Sequence, residues 1–132
     1  MKPIIYLMLL MLPLTSCAQG LTNEKTHDLM IGQRLQLGDY ILIFQEVEED
    51  SRCPKGTNCI WAGRAIVKLS IVTPGKETQE HTAIFGQTKG GEKANTTVIQ
   101  DGSYTVELTK LLPYPQADKE MGPYVLKLVE KN

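Results

Sequence analysis

The chain has 132 residues, with 14 Lys and Arg against 15 Asp and Glu, and 42% of it is hydrophobic. That length suits a single domain built on one core. A formal charge of −1 leaves no basic footprint for nucleic acid and no polybasic patch for a membrane surface.

The first elements are an export signal and a tether. Lys2 supplies a positive charge, Ile4 to Leu14 is almost wholly apolar, and Leu14-Thr15-Ser16-Cys17 follows. Eleven apolar residues broken by Pro13 fall well short of the roughly twenty that a spanning helix needs, so the order reads as a cleavable signal peptide over residues 1–16. Leu-Thr-Ser before a cysteine resembles the lipobox of bacterial lipoproteins, and the resemblance implies that Cys17 becomes the acylated first residue of the mature protein. Buried acyl chains contribute about 0.8 kcal/mol per methylene, so two or three of them anchor firmly. The competing reading is an ordinary signal peptide cut elsewhere, with Cys17 discarded. The expected location is the bacterial cell envelope, lipid-anchored, with Ala18 permitting sorting to the outer membrane. Residues 17–31 are expected as the acylated N-terminus and tether. Ala18 to Asp28 is polar, spans at most about 40 Å when extended, and places His27 in solvent.

An all-β domain is expected over residues 32–132. Arg34 to Leu37 and Tyr40 to Phe44 read as strands joined at Gly38-Asp39, the second apolar on both faces. The acidic run Glu46, Glu48, Glu49, Asp50 reads as a solvated strand end, because no calcium loop with alternating acids and a central glycine follows.

Asp50 to Gly63 is the densest stretch: D-S-R-C-P-K-G-T-N-C-I-W-A-G. Pro54, Gly56 and Asn58 let the segment between Cys53 and Cys59 turn back, which makes a disulfide plausible as a local staple of about 2 kcal/mol. With Cys17 lipidated, these two thiols are the only ones left, and export takes them out of the reducing cytosol. An extended chain from Cys59 to Trp61 sets the indole over that bridge, and Gly63 marks a bulge or a close backbone approach. The run Asp50-Ser51-Arg52-Cys53-Pro54, then Cys59, then Trp61-Ala62-Gly63, resembles the signature of a group of small bacterial secreted proteins and lipoproteins that lack an assigned function. The resemblance covers these fourteen residues, implies an exported bacterial domain, and brings no catalytic or binding residues with it.

Beyond it, Ala65, Val67, Leu69 and Ile71 alternate with Lys68 and Ser70, and Pro74-Gly75 turns the chain into Thr82 to Phe85. Thr96 to Ile99 reaches Tyr104, Val106 and Leu108 through Asp101-Gly102, and Pro113 and Pro115 end that strand. A last strand starts at Tyr124. About seven short strands with regular turns suggest an antiparallel β-sandwich, with a small β-barrel as the alternative.

The residues expected to carry chemistry are few. His81, at the start of a strand, has no evident acid and nucleophile to complete a triad. Cys53 and Cys59 are too widely spaced for a C-x-x-C redox pair and lack partners for zinc. Asn95-Thr96-Thr97 matches a glycosylation sequon, a weak signal in a bacterial lipoprotein. We therefore expect no catalytic residues, no metal and no cofactor. The expected function is a membrane-tethered binding module with an envelope protein as partner, its candidate binding loop carrying Arg52, Lys55 and Trp61. The alternatives are an inhibitor that inserts this loop into an envelope hydrolase, an enzyme using the carboxylates or His81, and a structural envelope component.

Overall fold

A computed structural model describes Gly20 and Asn23 to Asn132, so the signal peptide, Cys17 and the first part of the expected tether lie outside the described residues. Eight strands follow in order: β1 (Glu24–Met30), β2 (Arg34–Leu37), β3 (Tyr40–Asp50), β4 (Arg64–Val72), β5 (Gln79–Gly86), β6 (Thr97–Asp101), β7 (Tyr104–Leu112) and β8 (Val125–Lys131). They form two antiparallel four-stranded sheets, β1-β8-β7-β6 and β2-β3-β4-β5, packed as a sandwich without closing into a barrel.

The period-two patterns explain the core. Ala65, Val67, Leu69 and Ile71 on β4 all point inward, toward Val106, Leu108 and Leu111 of β7 and Leu126 and Leu128 of β8. Phe44 is the largest wholly buried side chain. The turns follow the residue chemistry. Pro74-Gly75 occupies the middle of a turn closed by the Lys76 amide on the Thr73 carbonyl, with Gly75 at φ 72° as a type II geometry demands. The β6–β7 loop is Gly102-Ser103, one residue later than expected, because Asp101 pairs with Tyr104 and Gly102 takes the left-handed position.

Two corrections concern the ends of elements. Glu24 to Met30, expected as tether, is the edge strand β1, paired along its whole length with β8. Leu29 is its one buried side chain, and beyond the backbone ladder Lys127 pairs with Asp28 at 2.7 Å and His27 hydrogen-bonds Glu130 at 2.9 Å. His27 is therefore a paired residue on a strand, and the folded domain begins before residue 32. β3 also runs on to Asp50, with register shifts between Phe44 and Glu46 and between Val47 and Glu49. Each shift breaks the alternation, which is why the acidic run looked like a strand end.

The registers orient the sandwich. Glu24 lies opposite Lys131, whereas Met30 and Leu112 both lie opposite Val125, so the chain enters the fold at one end and the β7–β8 connection sits at the other.

Candidate functional site

The stretch from Ser51 to Gly63 is the connection of the β3–β4 hairpin. Its stem prolongs the ladder: the Ser51 amide donates to the Arg64 carbonyl at 2.8 Å and the Cys53 amide to the Ala62 carbonyl at 2.9 Å. Gly63, at φ 73°, brings the two sides so close that a β-carbon there would overlap the Ser51 carbonyl, the close approach expected of it. Cys53 and Cys59 form a disulfide with Cα atoms 5.9 Å apart. Within the ring the Thr57 hydroxyl donates to the Pro54 carbonyl at 2.8 Å.

A second set of contacts ties this hairpin to the other sheet. Lys55 makes an isolated parallel bridge with Gln116, its amide donating to the Pro115 carbonyl at 2.9 Å and its carbonyl accepting from Ala117 at 3.2 Å. Arg52, expected as an exposed donor, is buried instead. Its Nε and Nη2 donate to the two Asp50 carboxylate oxygens at 2.7 and 2.6 Å. Nη1 reaches the Leu111 carbonyl at 2.8 Å and Nη2 the Pro113 carbonyl at 3.0 Å. The reason is long-range: the connection after β7 folds over the hairpin and presents two carbonyls that only a forked cation can satisfy together. Tyr124 adds a hydroxyl bond to Asp50 at 3.1 Å. Burial pushes the Asp50 carboxyl upward, but the Arg52 guanidinium and the Tyr124 hydroxyl outweigh it and hold the group below its ordinary range. Tyr124 itself is raised, first by burial and then by the Asp50 charge.

Arg64, at the foot of the hairpin, is the second buried arginine. It pairs with Glu92 at 2.6 Å and Glu49 at 3.3 Å. Its hydrogen bond to Glu49 raises the guanidinium further, and the same bond lowers Glu49. Glu46 and Glu48 lie near Lys68. The acidic run is thus divided between two arginines and a lysine. His81 Nε2 donates to the Asn95 carbonyl at 2.7 Å on the edge strand β5, two strands from these acids.

Beside Lys55, Thr57 and Asn58, the hairpin exposes two large apolar side chains. Ile60 is fully exposed and Trp61 is 43% exposed, in bends where extended chain was expected, so the premise that set the indole over the disulfide does not hold. Beside them lies a cleft of about 250 Å³ whose apolar walls come from Ala62, Phe85, Leu111, Leu112 and Tyr114. Two cations lie over the Tyr114 ring, the Arg52 guanidinium 5.0 Å and the Lys55 ammonium 5.5 Å from its centre. Of the three residues expected in the binding loop, Lys55 and Trp61 are at the surface and Arg52 is the brace beneath them. Ile60 and Tyr114 were missed. Their signals were an isoleucine next to the lone tryptophan and a tyrosine between two prolines.

No protein-family model matches the chain, and no curated protein or solved structure shows significant similarity to it.

Proposed function

We propose that this protein is a lipid-tethered, non-catalytic interaction module of the bacterial cell envelope that presents the Cys53–Cys59 hairpin to a protein partner. The observation that carries the reading is a fully exposed isoleucine beside a half-exposed tryptophan on a hairpin fixed by a disulfide, a backbone bridge and a buried arginine. Large apolar side chains on a rigid support lose little freedom on binding, which is what contact residues require. The polarity of the fold supports the tether: Glu24 enters at the end opposite the hairpin, so an anchor at Cys17 leaves the hairpin pointing away from the lipid.

The test is capture from a bacterial envelope extract by the full mature protein, compared with Ile60→Ala/Trp61→Ala and Lys55→Ala variants. A specific partner retained by the parent and lost by the double variant is the expected result. Equal retention by all forms, or none by any, overturns the role of the hairpin. Mass spectrometry of the mature protein checks the anchor separately, the expected N-terminal residue being acylated Cys17. The projecting shape of the hairpin favours one second reading, an inhibitor inserting Ile60 and Trp61 into an envelope hydrolase. In that case the captured partner loses activity when the parent protein is added.

A further inference from the structure

Resting on the reading of this chain as an interaction module, we propose that the open edge of β7 from Thr109 to Leu112 is a strand-addition site for an extended peptide carrying apolar and acidic side chains in alternation.

The edge is open for a definite reason. β6 accompanies only Tyr104 to Glu107 of β7, and the last bond on that side runs from the Leu108 amide to the Thr96 carbonyl at 2.8 Å. At Asn95, with φ 50°, the chain leaves for the other sheet, where the Ala94 carbonyl accepts from Ile84 at 2.8 Å. Past a bulge at Thr109, Lys110 to Leu112 keep β8 on one side and, among the described residues, have no strand on the other. Thr109 to Leu112 form one wall of the apolar cleft, with Phe85 and Gly86 facing them. A β-carbon at Gly86 would come within 2.6 Å of the Gly63 carbonyl, so that wall stays low. Arg52 occupies the Leu111 and Pro113 carbonyls and shuts the far end of the edge, which limits addition to a short segment.

Charge selects the occupant. The only charged liners of the cleft are Arg52, neutralised by Asp50, and Lys110. Lys55 adds a second cation over the Tyr114 ring. Among the described residues neither Lys110 nor Lys55 takes part in an ion pair, and these two are the lysines at the cleft and its Tyr114 wall, where they can meet a carboxylate from outside. A second copy of this chain fits badly, because two-fold pairing of β7 with itself sets Lys110 near its twin. An acidic, apolar peptide satisfies ladder, cleft and charge at once.

The test is an NMR titration of the full mature protein with three blocked hexapeptides. The first alternates valine or phenylalanine with aspartate, the second replaces aspartate by lysine, and the third repeats the first with alternate amides N-methylated. The acidic peptide is expected to bind about five- to tenfold more tightly than the basic one, from paired against opposed cross-strand charges. N-methylation abolishes binding, and those amides between Thr109 and Leu112 that do not already bond β8 gain exchange protection. Lys110→Glu, a change at an exposed side chain, reverses the preference. Equal affinity for all three peptides, shifts confined to other surfaces, or no binding overturns the proposal. Failure of the peptides with capture through Ile60 and Trp61 intact removes the strand-addition site and leaves the module. Peptide binding without such capture does the reverse.

Discussion

Replacing Arg52 by alanine is the most informative single perturbation of this fold. Its side chain is 6% exposed and that of its partner Asp50 is 8% exposed, so solvent cannot replace the lost guanidinium. The variant strands a buried carboxylate and two carbonyls, those of Leu111 and Pro113, that the arginine had satisfied. Breaking such a pair costs about 3–5 kcal/mol, against a total stability of about 5–15 kcal/mol for a domain of this kind. Thermal unfolding followed by far-ultraviolet circular dichroism should show a midpoint lower by roughly 15 to 30 °C. Urea titration gives the free energy directly. Arg52→Leu combined with Asp50→Asn should recover part of the loss, since most of the penalty belongs to the unpaired charge. A loss below about 1 kcal/mol for Arg52→Ala would place the pair in the range of surface ion pairs and refute its role as a brace.

Three further predictions follow from the same geometry. Asp50 titrates below its ordinary value, 3.8, in the folded protein, so its contribution is complete above that value and is lost as pH falls through the folded value. Urea midpoints measured from neutral pH downward should therefore fall on the acid side of that value, and Asp50→Asn should flatten this part of the profile while lowering stability at pH 7. Gly63→Ala should cost several times more than Gly56→Ala, because the second position, although at φ 88°, has no atom within reach of a new β-carbon and carries only the left-handed penalty of about 1–2 kcal/mol. Denaturant midpoints of the two variants make the comparison. Replacing both Cys53 and Cys59 by serine should remove about 2 kcal/mol, read by calorimetry, while leaving the eight strands in place.

How much of this was legible depended on where each signal lives. β4 could be read because Ala65, Val67, Leu69 and Ile71 bury one face without interruption. β1 could not, since one inward leucine among charged residues gives no period, and its hold comes from β8, about a hundred positions away in the chain. The disulfide and the close approach at Gly63 are properties of neighbouring residues, so local reasoning found both. Arg52 failed that reasoning because its partners, Leu111 and Pro113, arrive from a distant connection. A charged residue beside a turn looks solvated until something folds over it. Trp61 is at the surface, but its local geometry differs from the extended chain expected, since its segment bends between the disulfide and the stem.

The crown of the hairpin has a different status from its base. Thr57 closes the ring, but Asn58 and Ile60 are exposed and accept no load from the rest of the molecule, whose cross-ties sit at Arg52, Lys55 and Gly63. Those two positions flank Cys59 and can be randomised with the disulfide kept and the stem still folding beneath. The hairpin is therefore a natural grafting point, and a library displayed there would sample new surfaces on an unchanged frame.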